Sequence, residues 1–63
     1  MLYKLRGRRV EKGYTQQRIA KELHLSTNAY NLKENGKVEF RMSEITAILK
    51  LLDCTYEDIF LYE

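Results

Sequence analysis

The sequence predicts an all-α fold of five short helices, on three observations. Apolar residues recur at helical spacing, most cleanly as Ile45, Ile48, Leu49 and Leu52 at i, i+3, i+4 and i+7. Residues suited to starting or stopping helices punctuate the chain at short intervals: Thr15, Ser26, Thr27, Ser43 and Thr55 as caps, Gly13 and Gly36 as stops. The one stretch that alternates apolar and polar residues, "KVEFRM", has no partner strand and reads as an extended loop.

The elements follow in order. Leu2, Leu5 and Val10 mark an apolar stripe on a first helix that ends near Gly13, a left-handed C-terminal cap, with Gly7 as a weak point. Thr15 caps a second helix whose Ile19, Ala20 and Leu23 make the apolar face and which stops at His24. Ser26 or Thr27 caps a third, closed by Asn35-Gly36. After the loop, with Phe40 as a core plug, Ser43 caps the fourth helix. Thr55 opens a last short turn through Phe60, with Asp58 as its capping-box partner.

At 63 residues the chain is read as one domain, residues 1–63, with no proline and no linker to divide it. Such a chain buries only about 60% of the surface its unfolded form exposes. Hydrophobic residues at 44% against a net charge of +2 favour folding over disorder. One cysteine, Cys54, permits no internal disulfide, the longest apolar runs fall far short of a membrane span, and no charged-then-apolar leader is visible. A cytoplasmic location is the expectation. The charge is uneven: residues 1–31 carry seven Lys/Arg and two Glu (+5), residues 32–63 carry four against seven Asp/Glu (−3). A basic half fits a face that meets nucleic acid, although a solvated helix surface has the same composition.

The junction of the second and third helices is the most informative feature. "TQQRIAKEL" and "TNAYNLKEN" are separated by only "HLS", and so short a turn forces a steep crossing. Ala20 supplies the small residue that a close crossing needs, with Leu25 and Tyr30 packing beneath. This is helix-turn-helix geometry, in which the second helix enters the DNA major groove.

Here the sequence resembles the Cro/CI-type (XRE, lambda-repressor-like) helix-turn-helix domains of phage repressors and bacterial regulators, over about Leu5 to Phe60. "EKGYTQQRIAKELHLS" looks like the family's "xxGxTQxxLAxxLGxS", "ENGK" follows, and "LLDCTYEDIF" is similar to "xLGVSxDxLF". There are departures. His24 stands where the family has a turn glycine, and histidine is among the few other residues that tolerate positive φ, so a slightly strained turn is expected. Arg18 replaces the glutamate that commonly completes the capping box after Thr15. Lys33 falls at an apolar core position, its methylene stem expected over the core and its ammonium at water or phosphate.

The resemblance implies a sequence-specific, double-stranded-DNA-binding transcriptional regulator of the phage or mobile-element kind in a bacterial host, with a recognition helix at about 27–35. A homodimer on a palindromic operator is expected, because one recognition helix contacts only a few base pairs and a second half-site must supply the rest of the specificity; no cofactor is implied, and no metal, membrane or catalytic residue is expected. Thr27, Asn28, Asn31 and Leu32 are the candidate base readers, asparagine being able to bond adenine bidentately. Leu32 either presses on a thymine methyl or is buried on a helix whose phase differs by one residue. Gln16 matches a phosphate-gripping position at a helix N-terminus, Arg18 offers a further phosphate contact, and Asn35 and Lys37 would hold phosphate beyond the third helix. Arg9 and Glu34 match a salt bridge that orients the recognition helix. The dimer surface is expected in "IFLYE", with Ile59 and Phe60 in the core and Leu61 and Tyr62 uncovered; a frayed terminus is the alternative.

Other classes have little support. One histidine and one cysteine, 30 residues apart, are too few for a structural zinc site, and no glycine-rich phosphate loop exists. The rival reading is an antitoxin or protein-interaction module on the same fold.

Overall fold

A computed structural model describes residues 1–60, and these form five α-helices with no strand among them: α1 (Tyr3–Glu11), α2 (Gln16–Glu22), α3 (Thr27–Glu34), α4 (Met42–Leu52) and α5 (Tyr56–Ile59). None of them is long and apolar enough to cross a membrane. The principal packings are α2 on α3 and α1 on α5.

Capping chemistry sets most boundaries. Thr15 Oγ1 accepts from the Arg18 N–H at 3.0 Å and Ser26 Oγ from the Ala29 N–H at 3.1 Å, each satisfying a free donor at a helix start. Gly13 (φ 82°) and Gly36 (φ 80°) turn the chain out of α1 and α3 in the left-handed region. Between α2 and α3 that role falls to His24 (φ 59°), as expected for its position. Its Cβ is strained there, so His24→Gly is expected to raise stability by about 0.5–1 kcal/mol, to be read from thermal unfolding.

Two boundaries differ from expectation. Helix α4 begins one turn's fraction earlier than Ser43: Arg41 is its N-cap, and Glu44 Oε1 accepts from the Arg41 N–H at 2.9 Å. Glutamate at N3 supplies only the return half of a capping box, since a guanidinium has no acceptor. Helix α4 ends on Asp53 in the left-handed conformation (φ 51°), a non-glycine stop at the position where the similar "xLGVSxDxLF" has its glycine. Arg8 reaches from α1 to that end, its Nε donating to the Leu52 carbonyl at 3.0 Å and a terminal nitrogen to the Asp53 carbonyl at 2.9 Å, which places a cation where the helix dipole favours one.

The core comprises Leu2, Leu5, Ile19, Ala20, Leu23, Tyr30, Ile48, Leu52, Ile59 and Phe60. Phe40 from the extended loop packs edge-on to Tyr30 and Phe60, with ring centroids 6.0 and 5.5 Å apart. Val10 is a correction: it is 60% exposed, and the inward position on that turn belongs to Arg9. The inward stripe of α1 runs through Leu2, Leu5 and Arg9, so the helix turns a guanidinium towards α3.

Candidate nucleic-acid interface

Helices α2 and α3 meet through a turn of four residues, 23–26, in which the Leu25 N–H donates to the Ala20 carbonyl at 2.8 Å. Ala20 is buried at the contact, with Leu25 and Tyr30 packed below. Helix α3 is two-sided. Tyr30, Lys33 and Glu34 turn inward and are buried, whereas Thr27 and Asn28 are exposed and Asn31, Leu32 and Asn35 half-buried on the outer side. Leu32 is not among the side chains packed on the core, so the helical phase is the one the sequence suggested.

What fixes that phase is a polar network assembled from three helices. Arg9 Nε donates to Glu34 Oε2 at 2.9 Å and Arg9 Nη2 to Glu34 Oε1 at 3.2 Å, a two-pronged pair with Arg9 7% and Glu34 1% exposed. The Tyr30 hydroxyl donates to Glu34 Oε2, and Gln16 Nε2 donates to Glu34 Oε1 at 3.2 Å. Arg9 also donates to the Tyr14 carbonyl at 2.7 Å. No buried side-chain nitrogen or oxygen among the described residues lacks a partner, which such a network requires to be stabilising.

The network reaches the outer side of α3. Asn31 Nδ2 donates to Gln16 Oε1 at 3.2 Å, and Asn35 Nδ2 donates to Asn31 Oδ1 at 3.1 Å. Gln16 and Asn35 thereby hold the Asn31 amide in one orientation while leaving it one N–H and one lone pair free. Of the ten candidate site residues, Arg9, Gln16, Asn31, Glu34 and Asn35 are thus joined by hydrogen bonds. Thr27, Asn28, Leu32, Arg18 and Lys37 stand outside the network. Thr27, Asn28 and Lys37 are exposed and make no side-chain hydrogen bond among the described residues, and Arg18 lies over the Tyr14 ring at 5.5 Å.

Electrostatics follow from burial and pairing. Burial penalises the Arg9 charge, but the hydrogen bonds and attraction from Glu34 outweigh it and hold its pKa above the ordinary value. Burial, then the Glu34 carboxylate beside it, push the Tyr30 hydroxyl well above the usual tyrosine range.

Lys33 is the second correction. Its ammonium does not reach solvent but pairs with Glu44 Oε1 at 2.6 Å, each side chain 9% exposed. The apolar family position holds half of an ion pair whose other half starts α4, and with no alignment of contacts the sequence could not join residues 33 and 44. Burial alone would raise the Glu44 pKa, but Lys33 and the Arg41 N–H lower it below its ordinary 4.5. A depressed folded pKa adds stability that is complete above the unfolded value and is lost as pH falls through the folded one. Stability is therefore expected to decline below about pH 4.5, and Glu44→Gln to flatten that part of a urea-unfolding series against pH.

The segment that would carry the dimer surface is only partly visible: Ile59 and Phe60 are buried as expected, and Leu61 and Tyr62 lie outside the described residues. Near Phe60, a hollow of mixed polarity is lined by Leu2, Val38, Glu39, Phe40, Ile45 and Tyr56, of which Val38 and Tyr56 are exposed.

No curated protein and no solved structure matches the chain. One family model does, over residues 2–63, and that span takes in every residue of the network from Arg9 to Asn35: the chain belongs to the family described as protein of unknown function DUF739.

Proposed function

We propose that this protein is a sequence-specific, double-stranded-DNA-binding transcriptional regulator, acting in the bacterial cytoplasm as a homodimer on a palindromic operator. One observation carries the reading: a helix whose outer side presents Thr27, Asn28 and Asn31 is joined to α2 through a four-residue turn and fixed by the buried Arg9–Glu34 pair. Those are the requirements for reading base edges, which demands short polar side chains on a helix whose rotation is set by the scaffold beneath. The resemblance to Cro/CI-type domains supports the same conclusion.

In this reading Thr27, Asn28, Asn31 and Leu32 face the base edges, and Arg18, Lys37, Gln16 and Asn35 lie towards phosphate. Gln16 acts partly through Asn31, whose amide it orients. Asn28→Ala is expected to cost about 1–3 kcal/mol on the preferred site and to relax preference at one base pair. Selection of binding sites from random duplexes, followed by fluorescence anisotropy, tests this. Equal losses on preferred and random DNA remove Asn28 from the base readers, and no duplex binding even at low salt removes the whole reading.

A protein-binding module is the second reading, favoured by the exposed apolar side chains of Val38 and Tyr56 at the rim of that hollow. A dimer would cover part of the same surface, so sedimentation with and without operator separates the two.

A further inference from the structure

Two adjacent residues at the end of α3 are buried ions of opposite sign, and they are paired on different sides of the helix. Glu34 meets Arg9 of α1, and Lys33 meets Glu44 at the start of α4. The backbone is tied at the same point, where the Leu2 N–H donates to the Glu34 carbonyl at 2.9 Å. We infer that the Lys33–Glu44 pair is a positioning device for the recognition helix, forming with Arg9–Glu34 a charge code that admits only one rotation of α3. The inference rests on the DNA-binding reading for its consequence and on the two ion pairs for its substance.

The code follows from helical geometry. Adjacent residues project about 100° apart, so a slip by one residue is a rotation of that size. Slipping one way carries Lys33 to the place of Glu34, where it meets Arg9: two buried cations. Slipping the other way carries Glu34 to the place of Lys33, where it meets Glu44: two buried carboxylates. Either slip replaces an attraction with a repulsion in a poorly solvated site, where unpaired like charges are heavily penalised. An apolar residue at position 33 would bury as well but would leave the first slip unopposed by repulsion, since only the meeting of Glu34 with Glu44 would remain. The same rotation would turn Asn28 and Asn31 away from any base edges they read, so sequence discrimination depends on the code and not only on fold stability.

Two variants test it. Glu44→Gln keeps the shape and an acceptor for the Arg41 N–H, but removes the repulsion that opposes one slip. Lys33→Glu combined with Glu44→Lys restores a pair while placing two carboxylates side by side on α3, so that every register keeps an attraction and neither slip is repelled. In nitrogen–proton correlation spectra of the free full-length chain, amides of residues 27–35 should broaden or double in both variants. Those of residues 16–22 should remain single. The ratio of affinities for preferred over random duplex should fall by about tenfold or more in the exchanged pair even where its melting temperature recovers. Sharp single resonances throughout α3 in both variants, or an unchanged affinity ratio with both variants folded, overturns the inference. If the exchanged pair fails to fold, the Glu44→Gln spectra decide alone. If the unsubstituted chain binds no duplex, the DNA reading fails, and the spectra still decide whether α3 is locked.

Discussion

Glu34→Ala is expected to cost about 3–5 kcal/mol of folding stability, the penalty for breaking a buried ion pair from one side. The substitution strands the Arg9 guanidinium, which is 7% exposed, and also removes the acceptor for the Tyr30 hydroxyl and for Gln16 Nε2. A domain of this length has a total stability of about 3–9 kcal/mol by per-residue scaling, so the variant should lose from about a third to all of it. Replacing both partners, Arg9→Met with Glu34→Leu, should be much milder, because no charge is left without a counter-charge. Urea unfolding followed by circular dichroism measures both. A Glu34→Ala loss below about 1 kcal/mol would mean that water reaches Arg9 and the network is not a buried one.

The contrast between single and double replacement explains why much of the fold was legible and part of the site was not. Caps act within three residues, so Thr15, Ser26 and Thr55 announced their helices, and the Thr55 N–H indeed donates to Asp58 Oδ2 at 2.9 Å. Positive-φ stops at Gly13, His24 and Gly36 were visible because few residue types accept that conformation. Asp53 accepts it too, and only the resemblance marks it, since it stands where "xLGVSxDxLF" has a glycine. Val10 shows the limit of hydrophobic periodicity: α1 has one turn whose inward residue is an arginine, and a pattern that counts only apolar residues takes the exposed valine instead. Lys33–Glu44 was hidden for a related reason. Each residue looks solvent-facing by type, and only the packing of α3 against the start of α4 turns both inward. Arg9–Glu34 is legible only through the family resemblance, which pairs them across 25 positions as the chemistry of neither residue could do alone.

The same separation between what the scaffold fixes and what faces outward sets the expected response to salt. DNA affinity should fall by about a hundredfold between 50 and 200 mM salt if a dimer neutralises about four phosphates, since each neutralised phosphate contributes roughly 0.9 to the logarithmic slope. Two cations per protomer are available that no carboxylate neutralises: Lys37 is exposed beyond α3 and Arg18 is exposed on α2. The buried cations Arg9 and Lys33 add nothing to the slope, because each is already neutralised by a carboxylate. Lys37→Ala should therefore reduce the slope by about 1 per site and weaken preferred and random duplexes alike. Asn28→Ala should leave the slope unchanged and lower only the preference. Anisotropy titrations of the three proteins across salt measure both quantities, and a slope near zero for the unsubstituted chain would show that phosphate contact does not drive its binding.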